Sequence, residues 1–260
     1  MPSTPGSAGP TVAPSSPLTD QAHPAPGLAH AKRSPVGARR ILRFDRVERA
    51  AHWANALLFG ILMATALPLY FVQVDRFVGR RVLVENIHTW CGVALPVPLI
   101  ISLAGPWGGQ LRRDVRRFNI WTVSEIRWLW SLGRRQIPAP DKFNPGQKLN
   151  ALFIAGAIVV MLGTGSVLKW YRFFPLDWRT GATFVHDVLA LAIFIVVVGH
   201  ILMAVTHRDA LRSIVKGWVT ESWARTHASG WLEEEDIASG ALQPPGPVRE
   251  LSTSPDYPSD

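Results

Sequence analysis

ATFVHDVLALAIFIVVVGHILMAV, Ala182 to Val205, is the stretch on which the architecture turns. It is long and apolar enough to cross about 30 Å of hydrocarbon as one helix. Within it stand two histidines, His186 and His200, fourteen residues apart. Fourteen residues of α-helix rise about 21 Å and return to within roughly 40° of a whole number of turns. Both rings therefore project from one helix face, one towards each leaflet. A polar ring in hydrocarbon needs a partner, so an intramembrane histidine marks function by default.

Three further apolar runs lie upstream: AAHWANALLFGILMATALPLYFV (Ala50 to Val72), IHTWCGVALPVPLIISLAG (Ile87 to Gly105) and LNALFIAGAIVVMLGTGSVL (Leu149 to Leu168). Each is long enough to span, and Pro96 and Pro98 predict a kink in the second. The expected fold is all-α: a four-helix transmembrane bundle with spans at about 50–72, 87–105, 149–168 and 182–205. Links 73–86 and 169–181 are short and modestly basic. Link 106–148 is long and carries Arg112, Arg113, Arg116, Arg117, Arg127, Arg134, Arg135, Lys142 and Lys148. The positive-inside rule puts that link and both termini in the cytoplasm, in a bacterial inner membrane. Within it, IWTVSEIRWLWSLGRR reads as an amphipathic helix on the membrane surface, or as a loop helix covering the bundle.

The flanks differ in composition. Residues 1–38 are rich in Pro, Ser and Ala and read as a disordered tail. The membrane domain is expected over 39–235, with short cytoplasmic helices between His207 and Glu235. A second polar tail is expected over 236–260. The whole chain has 260 residues, 48% of them hydrophobic, with a net charge of +8. Its arginines sit at the ends of apolar runs, which argues for lipid contact and against nucleic acid. The single cysteine, Cys91, excludes an intrachain disulfide and a Cys-rich zinc or iron–sulfur site. No C-x-x-C-H is present, so no c-type haem is attached.

Of the eight histidines, His23 and His30 lie in the tail, and His207 and His227 lie beyond the last span. The other four are His52, His88, His186 and His200. With alternating helix directions, His88 and His186 share the outer level, and His52 and His200 share the cytoplasmic one. Each pair can supply both axial ligands of one haem iron, which leaves no open position and suits electron transfer. The residue four after each histidine is small: Ala56, Gly92, Ala190 and Ala204. A flat macrocycle beside a helix needs such a neighbour, although membrane helices also use small residues for packing. Arg46 and Arg49 are placed to meet propionates at the inner level, and Arg81 and Arg179 at the outer one, or to anchor the membrane edge. Asn144, Gly146 and Gln147 offer hydrogen bonds at the cytoplasmic edge, near the level of His200. A quinone needs such donors; read bare, N-P-G-Q is also a turn entering a helix.

Together, RFDRVERAAHW (Arg43 to Trp53), the His-x-x-x-Gly of His88 to Gly92, KFNPGQKLNALFIAGAIVVMLGTG (Lys142 to Gly165), GATFVHD, GHILMA and GWVTESWARTHASGW resemble the dihaem cytochrome b (gamma) subunit of membrane-bound respiratory formate dehydrogenase. The resemblance spans residues 40 to 234, and FNPGQK is its most discriminating element. It implies two b haems, the outer on His88 and His186 and the inner on His52 and His200. It implies a site for menaquinone or ubiquinone involving Asn144, Gly146, Gln147 and His200. It also implies an iron–sulfur partner subunit that feeds the outer haem, and a molybdenum- or tungsten-type catalytic subunit that oxidises formate. This chain would not itself oxidise formate, and the complex could form a higher oligomer. The long N-terminal tail and the Pro96/Pro98 pair depart from the family pattern.

Two other readings stay open. The chain could serve a nickel–iron hydrogenase, a thiosulfate reductase or a stand-alone quinol oxidase, which share the histidine pattern. In another class, a haem-free membrane anchor or transporter would use its histidines to relay protons.

Overall fold

A computed structural model of the protein describes residues 39–242. The tail expectations for 1–38 and for 243–260 lie outside those residues. The described chain is helical apart from one small two-stranded sheet.

The first span, α1, is Arg46–Tyr70. It begins earlier than the apolar run because Asp45 and Glu48 form a reciprocal capping box. Asp45 Oδ1 accepts from the Glu48 amide at 2.8 Å, and Glu48 Oε2 accepts from the Asp45 amide at 2.8 Å. The helix start, and with it the depth of His52, is thus fixed by the charged segment ahead of the membrane. A short helix that composition did not foretell, α2 (Val72–Val78), follows in the first link.

The second span divides into α3 (Arg81–Ala94) and α4 (Val97–Ala104). Pro96 has no amide hydrogen, so the ladder lapses there while Leu95 and Pro96 keep right-handed helical angles. The interruption falls where the proline pair predicted a kink.

Next come α5 (Gly109–Phe118) and α6 (Val123–Trp130). The expected amphipathic helix is therefore only eight residues long, started by a second capping box between Thr122 and Glu125. The third span, α7 (Pro145–Lys169), starts with a third, between Asn144 and Gln147. A single 3₁₀ turn, Tyr171–Phe173, leads to α8, Leu176–Thr206. This helix is unbroken over 31 residues, so His186 and His200 keep their helical spacing. Its length of about 46 Å exceeds the hydrocarbon thickness, so both ends emerge.

All four spans are long and apolar enough to cross a membrane. Their windows are little buried within the protein, as expected where lipid is the solvent. Apolar burial instead concentrates at one end of the bundle. There β1 (Arg40–Leu42) pairs antiparallel with β2 (Trp218–Thr220), in the register Arg40–Thr220, Ile41–Val219 and Leu42–Trp218. With α9 (Arg208–Lys216), α10 (Glu221–His227) and α11 (Ser229–Ala238), the strands form a cap. Its core is Ile41, Val219, Ala224, Ala228, Trp231 and Leu232. Gly217 makes the turn into β2 with φ +89°, and a Cβ there would stand 2.7 Å from Phe44 O. Asp236, the first residue of the expected polar tail, lies within α11. Asp236 is buried, paired with Arg39 at 2.6 Å, and holds the last turn of α11 in place.

The link was expected to supply topogenic positive charge, but several of its cations are consumed inside the fold. Lys142 Nζ contacts Asp114 Oδ2 at 2.5 Å and Glu48 Oε1 at 3.8 Å. Lys148 Nζ donates to Glu125 Oε1 at 2.7 Å. Lys148 thus holds the glutamate of a capping box by the carboxylate oxygen that the cap leaves free, whereas Lys142 bonds Asp114 and only approaches Glu48. Arg117 joins Asp141 at 2.5 Å to Glu234 at 2.6 Å. Arg43, sealed against the Trp223 ring at 4.6 Å, bonds Lys142 O at 2.9 Å. Burial pushes its guanidinium down to about 10, with Asp114 opposing, so it stays charged at neutral pH.

Candidate haem sites

The four intramembrane histidines fall into two groups. His52 on α1 and His200 on α8 face one another with ring centroids 6.3 Å apart. An imidazole nitrogen bonds a metal ion at about 2.0–2.1 Å, so two rings on opposite sides of one ion hold their centroids roughly 6 Å apart. The observed separation fits a bis-imidazole site. His52 Nδ1 and the nearby Asn55 Oδ1 are buried without a hydrogen-bond partner. Unpaired buried polar atoms are rare in folded chains, and here they line the same level as the ring pair.

The other two histidines stand on α3 and α8, each beside a threonine of a neighbouring helix. His88 Nδ1 lies 2.9 Å from Thr65 Oγ1 on α1, and His186 Nδ1 lies 2.8 Å from Thr164 Oγ1 on α7. Thr65 follows His52 by thirteen residues of continuous helix, a rise of about 20 Å. The two groups therefore sit at separate depths.

Helix packing leaves room between them. α1 packs on α3 and α7 on α8, and α3 meets α7, whereas α1 and α8 form no comparable interface among the described residues. Gly165 lies against His186, where an added Cβ would stand 3.5 Å from Cε1. Among the described residues, no group of three or more His, Cys, Asp or Glu converges on a point that could hold a bare metal ion. Separate pairs suit a cofactor that brings its own equatorial ligands, as haem does. They do not suit tetrahedral zinc.

The remaining site candidates are placed as follows. Asn144 and Gln147 spend their side-chain oxygens on each other's backbone amides, at 2.9 and 3.1 Å. The turn-into-helix reading of N-P-G-Q thus describes their backbone role, and each side chain keeps its NH₂ donors. Gly146 packs on Trp128, with an added Cβ 3.8 Å from that ring. Arg49 donates to Val215 O at 2.8 Å, tying α1 to α9. Arg81 pairs with Asp75 at 3.1 Å. Arg179 lies over the Tyr171 ring at 5.2 Å and lines a cavity of about 680 Å³ with Thr183 and Asp187.

Thr65, Thr164 and Asn55 escaped the sequence reading. A threonine in an apolar run is ordinary, and its significance appears only once the neighbouring helix is known.

Residues 43–217 match the family described as prokaryotic cytochrome b561. The formate dehydrogenase cytochrome b556 subunit of Haemophilus influenzae is 27% identical over 208 residues, covering 76% of this chain and 85% of that protein. The cytochrome b556(fdo) subunit of formate dehydrogenase in Escherichia coli K12 is 26% identical, covering 75% of this chain and 92% of its own. The cytochrome b556(Fdn) subunit of the nitrate-inducible formate dehydrogenase of the same strain is 22% identical, covering 77% and 94%. With a match over most of its length and four helices long and apolar enough to cross a membrane, the chain belongs to the prokaryotic cytochrome b561 family.

Proposed function

We propose that this chain is the cytochrome b membrane subunit of a formate dehydrogenase complex, carrying electrons through two b haems to quinone. What supports the reading is the His52–His200 pair, with the separation of a bis-imidazole site, and the placement of His88 and His186 at a second depth. In this reading His88 and His186 hold the outer haem, and His52 and His200 the inner one. A haem iron with both axial positions filled exchanges single electrons and binds no small ligand.

The names of the relatives support formate dehydrogenase as the enzyme served. An iron–sulfur subunit delivers electrons at the outer level, and a separate molybdenum- or tungsten-type subunit oxidises formate. The arginine-rich link and both termini lie in the cytoplasm of a bacterium, with the bundle in its inner membrane.

Quinone is reduced at the cytoplasmic edge, near His200, with Asn144, Gly146 and Gln147 as its binding residues. The support is chemical. The capping box engages the amide oxygens of Asn144 and Gln147 and leaves their NH₂ groups to meet a quinone carbonyl.

The test is formate-driven reduction in membranes. Formate should reduce the b-type absorbance bands when the chain is present with its partner subunits, and added quinone should reoxidise them. Bands reduced by hydrogen but not by formate would reassign the chain to a hydrogenase.

A further inference from the structure

We propose that Thr65 and Thr164 are positioning residues that fix the tautomer and raise the basicity of the outer histidine pair, and so set the redox order of the two haems. The proposal rests on the dihaem reading above.

It follows from counting protons. Thr65 Oγ1 lies 2.7 Å from Ile61 O and 2.9 Å from His88 Nδ1. The single hydroxyl proton of Thr65 goes to Ile61 O, the shorter of the two contacts and an oxygen that can only accept. The hydroxyl lone pair is then left to accept from His88 Nδ1–H. His88 therefore carries its proton on Nδ1 and presents a lone pair on Nε2, the nitrogen turned from the threonine. Thr164 repeats the arrangement on another helix pair, donating to Val160 O at 2.9 Å and meeting His186 Nδ1 at 2.8 Å.

Neither contact is needed to satisfy the threonines. Thr180, Thr183 and Ser166 bond the carbonyl four residues back and nothing further among the hydrogen bonds of the described residues. At Thr65 and Thr164 the same local habit is turned to hold a ring. A hydrogen bond to the far nitrogen of a ligating imidazole orients the ring and makes it a stronger donor. A stronger donor favours the oxidised iron and lowers its potential. His52 Nδ1 has no such partner. The outer site is therefore the lower in potential, and an electron entering there runs downhill to the inner one.

The experiment is a potentiometric titration of the b-type absorbance in membranes holding the full complex, comparing wild type with T65V and T65S. Pyridine haemochrome is counted in each. T65V should raise the lower of the two midpoint potentials by on the order of 59 mV, a tenfold change in a one-electron equilibrium. The higher potential should stay in place, and T65S should match wild type in both. If T65V instead sheds one haem per chain while T65S keeps two, the positioning role stands. An unmoved lower potential in T65V overturns the proposal, as does an equal shift in T65S. Either result, with two haems counted in wild type, leaves the dihaem reading intact. A wild-type chain without b haem overturns that reading and this proposal together.

Discussion

Replacing Lys148 by methionine removes a charge and little volume, which makes it a clean test of how the link is fastened. Lys148 is 2% exposed, and its ammonium bonds Glu125 Oε1 at 2.7 Å and Ile120 O at 3.0 Å. Two unit charges at that separation attract by roughly 6 kcal/mol at an effective dielectric of about 20, before desolvation is deducted. The net cost of K148M has a different origin. Glu125 is 4% exposed and remains behind without its counter-ion, which costs about 3–5 kcal/mol. The other carboxylate oxygen of Glu125 caps α6 by accepting from the Thr122 amide at 2.8 Å, so the helix should loosen as well. The assay is loss of Soret absorbance on heating in detergent, combined with tryptic cleavage at Arg127, Arg134 and Arg135. K148M should lose its absorbance at a clearly lower temperature and be cut faster. The double variant K148M/E125Q keeps the cap oxygen and removes the stranded charge. It should recover part of the loss, with a coupling of about 0.5–3 kcal/mol. A K148M protein as heat-resistant as wild type, or a double variant damaged by the sum of both singles, would refute the reasoning.

Three further outcomes follow from the same geometry. H186A should lose the outer haem and keep the inner one, read as half the haemochrome per chain; loss of the inner haem alone would overturn the pairing by depth. N144D keeps the capping oxygen but removes the amide donor, so thermal stability should hold while quinone reduction slows by about tenfold, the worth of one lost hydrogen bond of ~1.4 kcal/mol. Unchanged quinone kinetics in N144D would leave Asn144 as a cap alone. G108A places a Cβ 1.8 Å from the Ser102 carbonyl oxygen, so the α4–α5 turn cannot close; membrane levels of the chain should fall sharply, and normal accumulation would count against this turn.

The bundle was legible because hydropathy in a membrane protein is nearly one-dimensional: each of the four apolar runs falls on one long stretch of helix, which starts ahead of the run. The helix starts were less so. α1, α6 and α7 begin at capping boxes, whose polar residues lie outside the apolar runs that located the spans. The histidines stood out because charge and polarity are costly in hydrocarbon. Their threonine partners did not, because a hydroxyl bonded to its own helix costs little at any position. Lys142 and Lys148 were misleading in a different way. As sequence they are two more positive charges at a membrane edge; in the fold they are buried counter-ions to Asp114 and Glu125. Only long-range pairing, between residues 28 and 23 positions apart, distinguishes the two roles. The β1–β2 pair is likewise a long-range contact, between segments of three residues each that are too short for a periodicity to announce them.

Haem stoichiometry tests most directly whether the four histidines make two haem sites. The purified chain, assayed as the pyridine haemochrome against protein determined by amino-acid analysis, should contain two b haems, with bis-histidine low-spin spectra in both. One haem per chain, or none, would contradict the account.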